Sequence, residues 1–411
     1  MLYLLFNFFL SGINFFGALR ISGMAGIVSL SREDLLSILS DHKDVEHIKF
    51  LADSDKLEIK EIGDGNLNEI HRVQHKDGQS LIVKFAPPYV KCIGPEFPLA
   101  TNRLDIEHRA LVKYNQLCPG HSPIPYFNDQ GKHLFAMEDL KEHEVLRSQL
   151  MRGELNMQAV TKLAYFTACL HRETHVAKLG EDEIKVMDQQ FKNEPMVELT
   201  NNFIFTYPFI KDQPTNKIAD QVLRKANAIV YDSPRLLENA AKMKQIFLTK
   251  KEALVHGDLH SGSVMVKEDS IKVIDAEFAF VGPCAFDLAL ILSHYIISHY
   301  QHMLTRKDNQ LHRQFAYKCI DACHKTVETY LTHMTSYHGN KDEYISNLMS
   351  ETAGFTGCEL IRRVLGTAHV EDIKDSPSAE ECVLDAGGRL LNAYERIHSI
   401  DRIMFIGLAM C

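Results

Sequence analysis

Three carboxylates lie close enough in sequence to serve one reaction. Asp258 sits in His256-Gly257-Asp258-Leu259-His260, and Asp275 and Glu277 frame Asp275-Ala276-Glu277. Between these segments, Val264-Met265-Val266 and Ile271-Lys272-Val273-Ile274 flank a short polar turn. Two apolar, β-branched runs around such a turn read as a hairpin. A hairpin brings the residues before its first strand beside those after its second, so all three carboxylates are expected at one end. Alternate strand residues share a face. Asp275 and Glu277 are therefore expected to face one hard cation, such as magnesium, which takes a few carboxylates with phosphate oxygens and water. That leaves Asp258 as the candidate general base. A single carboxylate in a turn does no more than meet solvent, but three converging between apolar strands exceed that need.

Upstream, GDGNLN (63–68) places Gly63, Gly65, Asn66 and Asn68 between two β-rich runs. A Gly-x-Gly turn can bring backbone N–H groups close to phosphate oxygens. No Gly-Lys-Ser/Thr follows, and the third glycine of a dinucleotide fingerprint is missing. Alone, the segment is an ordinary tight turn. Lys84 adds weight, because it stands inside the apolar run SLIVKFA (80–86). A buried ammonium requires a partner; a phosphate would serve, and so would Glu107 on the following helix. Arg362 and Arg363 stand together among Leu360, Ile361, Val364 and Leu365. Guanidinium groups suit the charge that builds on a phosphoryl group in transfer. Adjacent helix positions point about 100° apart, so both can serve one pocket only at its end or edge. His256 reads as a residue that fixes its loop, with His260 as a possible substrate contact. Cys319 and His324 in CIDACH lack the further ligands a zinc site needs.

These residues have to be positioned by two kinds of structure. LEIKEI (57–62), EIHRVQ (69–74) and SLIVKFA read as strands, the last two joined at Lys76-Asp77-Gly78. An Asp-Gly between β-rich runs is a hairpin signal. DIEHRALVKYNQL (105–117) has helical apolar spacing, and HLFAMEDL (133–140) reads as a strand running into a polar corner. Beyond about residue 141 the pattern is helical, with a long run at 157–175. Ser233-Pro234 signals another helix start, with serine as cap and proline in the first turn. The 254–280 island is the exception. The order is strand, glycine turn, strand with lysine, helix with glutamate, corner, base, hairpin, carboxylates. It is the order of parts in kinase-like phosphotransferases. Two details depart from the usual pattern: Ser263 stands where an Asn five residues after the base is common, and Asp-Ala-Glu replaces Asp-Phe-Gly. The fold expected is α+β, a two-lobed protein-kinase-like fold. Residues 24–140 would form a small β-rich nucleotide-binding lobe, and 141–411 a larger, mostly α-helical catalytic and substrate-binding lobe.

Taken together, GDGNLN, VKFAPPYVKCIG (83–94), MEDL (137–140), HGDLHSGSVM (256–265), IDAEFAFVGPCAFD (274–287) and GFTGCELIRRVLGTAHV (354–370) resemble the 5-methylthioribose kinases. The resemblance spans about residues 60–370. Ala276 stands where that family usually has proline, and Phe97 where it often has tryptophan. The resemblance implies phosphorylation of the anomeric 1-hydroxyl of 5-methylthioribose by ATP with magnesium, a step of methionine salvage. It implies that Asn68 and the Gly63–Asn66 backbone contact ATP, that Lys84 holds its phosphates, and that Glu138, Asp139 and Leu140 line the adenine edge. Asp258 would take the proton of the 1-hydroxyl. Asp275 and Glu277, around Ala276, would bind magnesium beside ATP, and Arg362 and Arg363 would face the sugar and the transferring group. It also implies a homodimer. Other small-molecule kinases of this fold, acting on choline, an aminoglycoside or homoserine, are the alternatives. The absence of tryptophan gives no support to a choline cage, and twin arginines argue against a cationic aminoglycoside. A catalytically inactive binding module of the same shape would be expected to lack Lys84, Asp258 or the metal carboxylates, and all are present.

Composition agrees with this outline. The chain has 411 residues, 45% of them hydrophobic, with 45 basic and 54 acidic side chains and a net charge of −9. That length suits two lobes better than one minimal core. The acidic balance argues against sequence-independent nucleic-acid binding, which needs dense Lys and Arg. Nine scattered cysteines without a CxxC pair point to a reducing compartment rather than a disulfide framework. Residues 1–19 carry no charge and approach a membrane-spanning length, but Asn7, Ser11, Gly12 and Asn14 interrupt them. Arg20 lies on the far side, the reverse of a signal peptide. Met24 opens an ordinary soluble N-terminus, so residues 1–23 are expected to lie outside the fold. The working protein is expected in the cytoplasm, with ATP at hand and no membrane partner.

Overall fold

The computed structural model describes residues 30–42, 44–62, 67–91, 94–304, 309–334, 340–374 and 376–409. The apolar N-terminal stretch and Gly63, Gly65 and Asn66 lie outside them. The first β-rich section forms an antiparallel five-stranded sheet, in the order Leu57–Glu61, Glu69–His75, Ser80–Phe85, Leu134–Glu138, Pro125–Asp129. Lys84 pairs with Ile70 on one side and Phe135 on the other, so it stands on the central strand. The 15-residue helix Arg103–Leu117 carries Glu107, which is fully buried. On the remaining part of the sheet packs a helix, Arg32–Asp41, that the sequence reading did not anticipate. Its signal is a capping box, in which Ser31 Oγ accepts the Asp34 N–H while the Asp34 carboxylate accepts the Ser31 N–H.

The remainder is mostly helical, built around Met157–Thr174, Cys284–Leu304, Gln310–Met334, Lys341–Leu365 and Pro377–Ala393. Every residue from Cys284 to His302 is buried, so this helix is the axis of the larger core. No helix among the described residues is long and apolar enough to cross a membrane. The expected hairpin forms, with Val264 opposite Val273 and Val266 opposite Ile271. Beside it, Ala253–Val255 pairs with Phe280–Gly282, which ties the segment before Asp258 to the segment after Glu277. The helix expected after Ser233 runs Pro234–Thr249, but the Ser233 side chain makes no capping hydrogen bond. Proline at the first position needs no N–H partner there, which leaves the cap less to do.

Two of the core helices touch backbone to backbone. A Cβ on Gly357 would lie 2.8 Å from the Leu391 backbone nitrogen and 2.9 Å from the Gly387 carbonyl oxygen. Alanine would gain about 1 kcal/mol in helix propensity, but forcing the helices apart costs about 1–3 kcal/mol. Because the neighbours are backbone atoms, the second effect dominates. Gly357→Ala is therefore expected to lower the midpoint of thermal unfolding, and an unchanged or raised midpoint would show that the two helices can separate freely.

Candidate active site

The loop that carries Asp258 is held by a buried carboxylate outside it. Asp287, in the first turn of the Cys284–Leu304 helix, accepts the N–H groups of His256 (2.7 Å) and Gly257 (3.0 Å). It also accepts from His171 Nε2 at 3.1 Å, whose Nδ1 takes the Tyr330 hydroxyl at 2.9 Å. Burial works against the charged form of Asp287, but the hydrogen bonds and charges around it hold its carboxyl below the usual range. The His256 ring is pinned at both nitrogens: Nε2 donates to the Ile274 carbonyl at 2.9 Å, and Nδ1 accepts the Asp258 N–H at 3.2 Å. Its structural reading is thus the one the geometry favours. Gly257 has φ +82°, and a Cβ there would lie 2.3 Å from the Phe278 carbonyl oxygen. Only glycine accommodates both the left-handed backbone and that contact.

Ser263, at the position where asparagine is common, donates from Oγ to the Asp258 carbonyl at 2.8 Å. The serine therefore closes the loop rather than reaching outward. The Asp258 carboxylate itself remains partly exposed, with Oδ2 3.4 Å from His260 Nε2. The His260 Nδ1 accepts the Gly262 N–H at 2.9 Å. Burial, with the charges of Arg363, Arg147 and Arg362, keeps His260 well below the usual histidine range and hence neutral.

Arg362 and Arg363 occupy the last turn of the Lys341–Leu365 helix, and both are buried. The helix end is the place from which two adjacent arginines could both reach one pocket. Each donates from Nε to a different oxygen of Glu359, both at 2.7 Å. The Glu359 carboxylate is fully buried. Desolvation pushes its carboxyl upward, but the two guanidinium groups outweigh that and hold it below the usual range. The sequence reading missed Glu359, although its i+3 and i+4 spacing to the arginines was a usable signal. The charges of Arg362, Arg147 and Asp258 all act on Arg363, which places the pair and the candidate base in one electrostatic neighbourhood.

Lys84 Nζ lies 2.6 Å from Glu107 Oε1 and 2.5 Å from Asp275 Oδ1. Burial opposes its charge, yet the flanking carboxylates prevail, and the ammonium is held protonated. Burial pushes the Glu107 carboxyl up to about 7, against the pull of Lys84 and with the push of Asp275 and Glu277. The expected Glu107 partner is thus present, and Asp275 joins it.

One expectation is corrected here. Asp275 and Glu277 do not share a strand face: the strand ends at Val273, Asp275 has φ +61°, and Ala276–Phe278 forms a 3-10 turn. The left-handed residue breaks the alternation, so the two carboxylates take different protein partners. Asp275 reaches Lys84 and keeps a partly exposed carboxylate, whereas Glu277 is buried. Glu277 Oε2 accepts from Asn68 Nδ2 at 2.9 Å and lies 3.6 Å from Arg103 Nε. Asn68 Oδ1 in turn accepts from Arg103 Nε at 2.9 Å. Among the described residues no group of three or more Asp, Glu, His or Cys side chains has metal-binding geometry. The donor set fits a cation through Asp275, with Glu277 turned toward Arg103.

At the corner after Leu134–Glu138, both acidic side chains are engaged by the protein. Asp139 receives Arg72 Nε at 2.8 Å and Nη2 at 3.0 Å, and Glu138 Oε2 receives Lys272 Nζ at 2.9 Å. Leu140 is buried. The Glu138 and Asp139 side chains of the expected adenine edge thus brace the corner.

A two-lobed architecture with a lysine–glutamate pair, a braced aspartate loop and a neighbouring arginine pair defines a kinase-like phosphotransferase. Residues 58–321 match the phosphotransferase enzyme family. The fold is shared with choline kinase from Cryptosporidium parvum, at a TM-score of 0.52 and 13% identity over 89% of this chain and 95% of that one. Methylthioribose kinase from Geobacillus kaustophilus is 34% identical over 335 residues, covering 78% of this chain and 82% of that protein. The Yersinia enterocolitica enzyme of the same name is 32% identical over 366 residues, 84% of this chain and 90% of its own. Methylthioribose kinase 1 of Oryza sativa is 30% identical over 387 residues, 85% and 88%. The chain belongs to the methylthioribose kinase family.

Proposed function

We propose that this chain transfers the γ-phosphoryl group of ATP to the anomeric 1-hydroxyl of 5-methylthioribose, in the cytoplasm and as a step of methionine salvage. The observation that carries the reading, within this family, is the partly exposed Asp258 carboxylate on a loop braced by Asp287, His256 and Ser263. Asp258 accepts the proton of the 1-hydroxyl as its oxygen bonds to the γ-phosphorus. The bond from that phosphorus to the β–γ bridging oxygen breaks, and ADP leaves. An anomeric hydroxyl is more acidic than an ordinary alcohol, so a carboxylate suffices as base. Lys84 supplies positive charge to the ATP phosphates, and Arg362 and Arg363 supply it to the transferring group and sugar. Positioning and charge, not covalent catalysis, carry such a transfer.

The backbone at Gly63, Gly65 and Asn66, the Asn68 network and the corner Glu138-Asp139-Leu140 frame the nucleotide. Magnesium would be held by Asp275 with the phosphates, and by Glu277 if it turned from Arg103, spreading the phosphate charge. The working assembly in this reading is a homodimer. A coupled assay for ADP release with magnesium-ATP tests the substrate against 5-methylthioribose, choline and an aminoglycoside. Release with 5-methylthioribose alone is expected. Release with choline or the aminoglycoside instead would overturn the assignment.

A further inference from the structure

Beside the candidate base lies a second polar cluster, of which only Arg363 has a role in the steps above. Asp372 follows the Lys341–Leu365 helix, and its carboxylate is fully buried. Neither carboxylate oxygen accepts a hydrogen bond from another residue, the nearest donor being its own backbone N–H. Its nearest charge partner, Arg147 Nε, stands 3.9 Å away and is itself buried without a hydrogen bond. Arg147 opens into the Asp258 loop, because a Cβ on Gly262 would lie 3.1 Å from its Nη2. Two more donors or acceptors near the loop are unmatched: Arg363 Nη2 and His294 Nε2. His294 stacks on His260 at 5.1 Å, and its Nδ1 meets Ser261 Oγ at 2.7 Å. The charges of Arg147 and Arg363 act on Asp372, although burial wins and raises its carboxyl above the usual range.

Buried polar atoms almost always have partners, and an unmatched buried carboxylate is costly. Four unmatched groups gathered beside a reactive loop are therefore better explained by an absent ligand than by packing. The ligand must bring several hydroxyl groups. A carboxylate with two free oxygens accepts from two adjacent O–H groups, while a guanidinium N–H donates to their oxygens. A phosphate would be repelled by Asp372, and a cationic ligand would be repelled by Arg147 and Arg363.

We propose that Asp372, with Arg147, forms the subsite that binds the vicinal 2- and 3-hydroxyls of the pentose acceptor and so sets its specificity. The inference rests on the sugar-kinase reading above and adds the part of the acceptor that is recognised away from the reacting 1-hydroxyl. A site built to bind a hydroxyl rejects the analogue lacking it by as much as about 10⁴-fold, because its polar groups are then left unpaired.

The test compares kcat/KM for 5-methylthioribose and its 2-deoxy and 3-deoxy analogues in the wild type, Asp372→Asn and Asp372→Ala. The wild type is expected to prefer the full sugar by at least 100-fold over one or both analogues. In Asp372→Ala the preference should shrink to within about fivefold, through loss on the full sugar. A melting scan separates a binding role from a structural one. Without sugar, Asp372→Asn should melt at or above the wild-type temperature, since an unmatched buried charge is gone. Saturating sugar should raise the wild-type midpoint and leave the variant's nearly unmoved. Undiminished discrimination in Asp372→Ala, or a sugar-free Asp372→Asn that melts well below wild type, overturns the subsite while leaving the kinase reading intact. No turnover of 5-methylthioribose by the wild type overturns both.

Discussion

Asp258→Asn is expected to lose about 10³-fold or more in kcat while ATP affinity stays within about twofold. The asparagine keeps the shape of the side chain and leaves the backbone braces in place. Asp287 still accepts the His256 and Gly257 N–H groups, His256 still takes the residue 258 N–H, and Ser263 still closes onto the residue 258 carbonyl. What disappears is the acceptor proposed for the sugar proton. Lys84, Glu107 and Asp275 pair with one another, and none makes a hydrogen bond or ion pair with Asp258. An effect confined to kcat and kcat/KM for the sugar is the signature of an interaction made in the transition state. ATP binding can be read by calorimetry and turnover by ADP release. Near-normal turnover in the variant would remove Asp258 from the mechanism. An equal loss of ATP affinity would instead make it part of the nucleotide site.

The sequence was most readable where neighbouring residues decide the outcome. The strand Leu57–Glu61 and the helix Met157–Thr174 fall within a residue of their expected bounds, because apolar periodicity and turn chemistry act locally. The hairpin around Asp258 and Asp275 was legible for the same reason. Asp275 marks where that logic stops: a single residue at φ +61° ended the strand alternation, and Glu277 stands beside Arg103. Apart from Lys84 with Glu107, contacts between distant segments were not legible. Asp287 braces a loop some thirty positions earlier in sequence, and Arg147 approaches Asp372 across more than half of the chain. No spacing rule links such residues, since the pairing is made by packing of helices. Glu359 is the intermediate case. Its i+3 and i+4 relation to Arg362 and Arg363 was visible, but an ordinary surface ion pair has the same spacing. Burial is what separates the two readings.

Glu359→Ala is expected to be among the most destabilising single changes in the protein and to disable it even where it folds. In the wild type one carboxylate neutralises two buried guanidinium groups, one on each oxygen. Its removal leaves Arg362 and Arg363 side by side, buried and repelling. Breaking a buried pair by deleting one partner costs about 3–5 kcal/mol, which corresponds to a fall on the order of 10 °C in melting temperature. The arginines would then swing toward solvent and leave the position proposed for them at the phosphoryl group. Glu359→Gln retains a hydrogen-bond acceptor and should fall between wild type and alanine in both stability and kcat. The dependence on pH provides a second check. Glu359 is held below the usual carboxyl range, so its stabilising contribution is complete above the unfolded value of about 4.3. It is lost as pH falls through the lower folded value. The gap between the melting curves of wild type and Glu359→Gln should therefore be constant near neutrality and shrink only below about pH 4. A gap that is already absent at pH 7, with kcat unchanged, would show that the arginines are positioned by something other than this carboxylate.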